Sequence, residues 1–155
     1  MDEPGTRCGP GGAPPTEAVL LLEVGTDTAA FAAAQEALHA YLEAAGVDER
    51  AVFRTELAFE ELVTNVVRHG YGGPRSNLTP IDVSVSIRDD EIGLTVEDPG
   101  PPFDPSKAVA APLPKRIEDA NIGGLGLRLV HSVARRIDYA RVAGRNRVTV
   151  AIART

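Results

Sequence analysis

The chain has 155 residues, 43% of them hydrophobic, which is enough apolar material for one buried core and too little for two domains. A formal net charge of -6 without a segregated basic face opposes nucleic-acid binding, and no stretch is long and apolar enough to span a bilayer. The single Cys8 rules out an internal disulfide or a cysteine metal cluster, and Met1-Asp2-Glu3-Pro4-Gly5 has neither the basic end nor the apolar run of a signal peptide, so a reducing cytoplasm is the expected setting.

Residues 1–16 are rich in proline and glycine and read as a flexible tail, because they cannot offset their ordering entropy by burial. One domain is expected over 17–155. The apolar run from Glu17 to Val24 predicts a first strand. Thr26 or Asp27 then caps a helix with a stripe of Phe31, Leu38, Tyr41 and Leu42 that stops before Gly46. Asp48 caps a second helix, whose buried stripe is predicted to be Val52, Phe53, Phe59, Leu62, Val63 and Val66. After Gly72-Gly73-Pro74, the alternation of Ile81, Val83, Val85 and Ile87, the turn at Asp89-Asp90, and the alternation of Ile92, Leu94 and Val96 predict an antiparallel hairpin with Asp98 at its exit. The proline-rich stretch 99–122 has no period and is expected to be a lid-like loop. Leu125, Leu129, Val130, Val133 and Ile137 predict a helix from Gly124 to Ile137. Two strands, 139–143 and 147–153, follow around a turn at Gly144-Arg145-Asn146.

Within the second helix Glu61 and Asn65 lie four residues apart, on one slowly turning row with His69. Asparagine is a poor helix-interior residue, so its amide one turn beyond a carboxylate suggests a partner such as a hard cation, with the carboxylate as general base. Glu60 points about 100° away and loses this register. The alternative for the pair is a solvated helix surface, and for His69 and Gly70 a cationic last turn with a left-handed cap. Asp98 before Pro99-Gly100 is either a turn former or an acceptor for the exocyclic amine of an adenine, with Gly100 admitting the base. Gly123, Gly124 and Gly126 at a helix start suit phosphate oxygens. Lys115 and Arg116 are candidate γ-phosphate partners, or a solvated charge pair. Dinucleotide and Walker fingerprints are missing, as are zinc-protease and Ser-Asp-His hydrolase motifs.

In this order the motifs resemble the GHKL superfamily of ATP-binding domains shared by gyrase, heat-shock chaperones, histidine kinases and mismatch-repair proteins. Glu61-Leu-Val-Thr-Asn65-Val-Val-Arg-His69-Gly70-Tyr71 looks like its N-box, Asp98-Pro-Gly100 like its first glycine box, and Gly123-Gly124-Leu125-Gly126-Leu127 like its second. The small size, the His-Gly-Tyr ending and the Pro-Pro-Phe-Asp-Pro stretch are most similar to the anti-sigma-factor serine/threonine kinases. The resemblance implies an α+β, two-layer sandwich of the Bergerat type, with a mixed, mostly antiparallel sheet and helices on one face. It implies ATP and Mg²⁺, with Asn65 as metal ligand, Glu61 as base, and Asp98, Gly100, Gly123, Gly124, Leu125, Gly126 and Leu127 around the nucleotide. It further implies phosphorylation of a STAS-domain antagonist and sequestration of a sigma factor, with homodimerisation left open. The alternatives carried beside it are a nucleotide-gated binding module and a stand-alone ATPase. Pro102 departs from the pattern, standing where a second glycine is common and stiffening the lid's hinge. No histidine-kinase dimerisation hairpin accompanies His39, so autophosphorylation is not expected.

Overall fold

A computed structural model describes residues 19–70, 80–110 and 122–155. Its sheet has five strands, β1 (Val19–Val24), β2 (Ile81–Ile87), β3 (Glu91–Asp98), β4 (Arg136–Val142) and β5 (Arg145–Ala153), in the spatial order β1-β2-β3-β5-β4. Three helices, α1 (Thr28–Ala44), α2 (Glu49–Asn65) and α3 (Ile122–Val133), complete the α+β sandwich. Every neighbouring pair of strands is antiparallel, so the parallel pairing that a mixed sheet would include does not occur among the described strands.

Side chains alternate across a strand, so one parity of each strand faces the helices. Leu20, Val85, Leu94, Val150 and Ile137 form one row across the whole sheet, and Leu22, Val83, Val96, Val148 and Tyr139 form the next. The same parity then turns polar at one end, where Asp98 lies opposite Asn146 and Asn146 opposite Arg141. The apolar rows close against Leu38 and Leu42 of α1 and Phe59, Leu62 and Val63 of α2. Burying each of these large side chains contributes about 1.5–3 kcal/mol. On the opposite face the middle strands carry polar pairs, Thr95 hydrogen-bonded to Thr149 at 3.1 Å and Glu97 paired with Arg147 at 2.6 Å, while Leu21 of the edge strand β1 is exposed.

The starts of α1 and α2 and the end of α1 follow their sequence signals. Asp27, rather than Thr26, caps α1 by accepting from the Ala30 amide at 2.9 Å, and Asp48 accepts from the Arg50 and Ala51 amides. α1 stops in a Schellman turn: Gly46 has φ +66°, its amide reaches the Glu43 carbonyl, and the Val47 amide reaches that of Leu42.

Three expectations change. Phe53 is 64% exposed, because it lies about 100° round the helix from Val52, on the side away from the sheet. Leu125 and Leu129 are exposed as well, since Leu127 and Val130 take the core side of α3. Ile137 is not helical. α3 ends at Val133, and Ile137 sits in β4 opposite Val150, its four-residue spacing from Val133 having imitated a helical period. The last hairpin turns on Ala143-Gly144 alone, both with positive φ (50° and 75°), which is the two-residue turn suited to a twisted hairpin. Arg145 and Asn146 therefore belong to β5. The expected tail at 1–16, Tyr71, the Gly72-Gly73-Pro74 break and the part of the lid from 111 to 121 lie outside the described residues.

Candidate active site

The N-box-like segment forms the last turns of α2. Regular α-helix ends at Asn65, and Val66–Gly70 continue as a single π-helical turn, a feature frequent at functional sites. Beneath this turn a cavity of about 270 Å³ opens between α2, the ends of β3 and β5 and the segment after Asp98. Its apolar walls include Leu62, Val96 and Val148, and its polar groups are Asn65, His69, Asp98 and Asn146. It lies near the lower end of small-molecule sites, about 300–1,000 Å³, and has room for a flat ring with a polar edge. His69 stacks on Phe103 with ring centroids 5.9 Å apart and planes within 10°, which closes one wall. Pro102, at the glycine-box departure, lines the same cavity.

Asp98 is the last inward-facing residue of β3 and only 5% exposed. Its Oδ1 accepts from the Gly100 amide at 2.8 Å and from Asn146 Nδ2 at 3.2 Å. The turn-forming reading holds, since the carboxylate shapes the Pro99-Gly100 turn, and the same side chain also lines the cavity. Gly100 is buried, and its carbonyl accepts from Arg141 Nη1 at 2.7 Å.

Glu61 borders a narrow crevice beside the cavity, together with Thr64, Asn65, Arg68, Gly126 and Leu127. Burial pushes its carboxyl above the ordinary carboxylate value, the neighbouring charge of Glu60 adds to this, and Arg68 opposes it. Glu60 itself is exposed. A Cβ at Gly126 would run into the Glu61 carboxylate, so the glycine lets that side chain lie against the start of α3. Gly123 and Gly124 lie in the first turn of α3. Leu127 is buried in the core while Leu125 points into solvent at 48% exposure, so the five residues of this segment do not act alike. Lys115 and Arg116 are outside the described residues.

Sequence reasoning missed Asn146, Arg141 and Tyr139. All three hydrogen-bond at the Asp98 end of the site, with the buried Asn146 joining the other two at 2.7 Å (Tyr139 Oη) and 3.0 Å (Arg141 Nη1). The signal was parity: Ile152, Val150 and Val148 face inward, so Asn146 must also, once the turn is shortened to Ala143-Gly144.

Comparison with known proteins shows the family. The chain matches the histidine kinase-like ATPase domain family over residues 24–152. It is 30% identical over 100 residues to the serine/threonine-protein kinase BtrW of Bordetella bronchiseptica, covering 63% of this chain and 68% of that protein. It is 31% identical over 93 residues to the serine-protein kinase RsbW of Staphylococcus aureus, covering 57% of this chain and 58%, less than two thirds, of that protein. In fold it is similar to the crystal structure of the RsbU and RsbW domains of Rv1364c from Mycobacterium tuberculosis, with a TM-score of 0.62 at 18% identity over 89% of this chain and 33% of that one. The chain therefore belongs to the histidine kinase-like ATPase domain family, among its serine/threonine-protein kinases.

Proposed function

We propose that this protein transfers phosphate from ATP to a serine or threonine of a STAS-domain antagonist and, in its other state, holds a sigma factor, which places it in the cytoplasm. The observation that supports a transferase is the pairing of a half-buried carboxylate, Glu61, against Gly126 with a second buried carboxylate, Asp98, in the adjoining cavity. The STAS and sigma partners rest on the resemblance of the N-box and glycine-box segments to the anti-sigma kinases.

In this reading the apolar walls of the cavity take the adenine, and Asp98 accepts from its exocyclic amine. Asn65 offers its amide oxygen to Mg²⁺, which when bound neutralises phosphate charge. Among the described residues no three His, Cys, Asp or Glu side chains converge as a metal cage, so the ion would rest on Asn65 and phosphate oxygens. Gly123, Gly124 and Gly126 bring backbone amides of the α3 start towards the phosphates. Glu61 takes the proton of the acceptor hydroxyl as that oxygen bonds to the γ-phosphorus, the bond to the β-phosphate oxygen breaks, and ADP leaves. Its raised pKa makes the ionised carboxylate a stronger base than an exposed one.

The test is incubation with ATP, Mg²⁺ and a cognate STAS-domain protein, followed by intact mass. A phosphorylated partner, lost in Glu61→Ala while ATP binding persists, supports the proposal. Unchanged transfer in Glu61→Ala rejects the base assignment. An ATP-dependent complex without phosphorylated product would instead establish the nucleotide-gated binding module.

A further inference from the structure

Asn146 is 3% exposed, and a buried carboxamide is stable only when its donors and acceptor are all engaged. Its Nδ2 donates to Asp98 Oδ1 at 3.2 Å and to the Pro101 carbonyl at 2.8 Å. Its Oδ1 accepts from Tyr139 Oη at 2.7 Å, Arg141 Nη1 at 3.0 Å and the Phe103 amide at 3.3 Å. The orientation of the amide is unambiguous, because the carboxylate and the Pro101 carbonyl can only accept while the guanidinium and the Phe103 amide can only donate. One planar group thus ties the end of β3, the segment leading away from the cavity, and the edge strand β4 to each other. Few side chains could replace it: aspartate would set a second negative charge against Asp98, and leucine would orphan donors and acceptors on both sides.

We propose that Asn146 is a positioning residue for base selectivity, holding the Asp98 carboxylate in the orientation that accepts from the adenine amine. The inference rests on the reading of Asp98 given above. By engaging Oδ1 from one side, together with the Gly100 amide, Asn146 directs the remaining oxygen of Asp98 towards the cavity. Arg141 supports this arrangement twice, through Asn146 Oδ1 and through the Gly100 carbonyl.

The experiment is calorimetric titration of the full chain with ATP and with ITP, which carries a carbonyl where adenine carries its amine, in the presence of Mg²⁺. Wild type is expected to favour ATP about tenfold or more, the value of one hydrogen bond to a charged group. Asn146→Ala is expected to reduce that preference to near unity, with ITP affinity changing much less than ATP affinity. Should the alanine variant unfold, the uncharged Asn146→Ser variant, which places no second carboxylate beside Asp98, reads the same ratio, with folding monitored by thermal melting. If ATP and ITP weaken in equal proportion, so that the wild-type preference survives, Asn146 is a structural prop only and the proposal falls. A wild type that does not distinguish ATP from ITP overturns the Asp98 reading, and the proposal with it.

Discussion

The two ends of the site are held by different forces. At the Asp98 end, a buried carboxylate and a buried carboxamide are fixed by hydrogen bonds from β3, β4, β5 and the backbone at Gly100, Pro101 and Phe103. At the Glu61 end, the carboxylate is shaped instead by burial, by the charges of Glu60 and Arg68 and by the missing side chain of Gly126. Hydrogen bonds are directional and pre-organise a group for recognition, whereas burial and charge set how readily it takes a proton. Under the proposed function, the first end recognises and the second reacts.

The largest expected effect tests the reacting end. Glu61→Gln should lower phosphotransfer about 10²–10⁴-fold, the usual worth of a general base, and leave ATP affinity within a few-fold. If affinity collapses together with rate, the division between the ends is wrong. Next comes Asp98→Asn, which keeps an oxygen for the Gly100 amide and Asn146 but presents an NH₂ to the base; ATP affinity should fall about 10–100-fold by calorimetry. The turnover of enzyme saturated with ATP should change far less.

Gly126→Ala sharpens the contrast further. The atoms that the new Cβ meets belong to the far end of a flexible side chain, so the melting temperature should move little. Glu61, however, must swing away, and displacement of a reacting group by about 1 Å costs up to about 10²-fold in rate. A stability loss without a rate loss would make Gly126 a packing residue.

The pH response follows from the direction of the Glu61 shift. Because its folded pKa lies above the ordinary value of 4.5, the folded state retains the proton to higher pH than the unfolded chain. The associated stability is present below that ordinary value and is lost as pH rises through the folded pKa. Transfer rate should therefore rise along a limb displaced above the ordinary carboxylate range, and Glu61→Gln should melt like wild type in acid but higher than wild type at neutral pH. A limb at the unshifted position would remove burial as the cause.

The smallest effect lies outside both ends. Ala143 has φ 50°, a conformation that asparagine or glycine adopts more readily, so Ala143→Asn should stabilise the hairpin by about 0.5–1 kcal/mol in denaturant titration. Transfer rate should not follow, provided Asn146 keeps its register with Asp98.

Local chemistry was legible in the chain. The period of Val83, Val85, Leu94 and Val96, the caps at Asp27 and Asp48, and the Glu61–Asn65 row on α2 all depend on residues a few positions apart, and short-range geometry decides them. The errors at Phe53 and Ile137 have one source. An apolar residue reports burial only once a neighbour is placed over it, and spacing alone cannot say whether Ile137 extends a helix or fills a row of the sheet. The recognition end was out of reach for a related reason. Asp98 and Asn146 stand 48 residues apart in the chain and meet only because β3 and β5 pair antiparallel in one particular register, and the hairpin turns on two residues rather than three. The sequence by itself determined which groups could do chemistry. Register and helix packing, which are set by the summed burial of the core, decided which of those groups face one another.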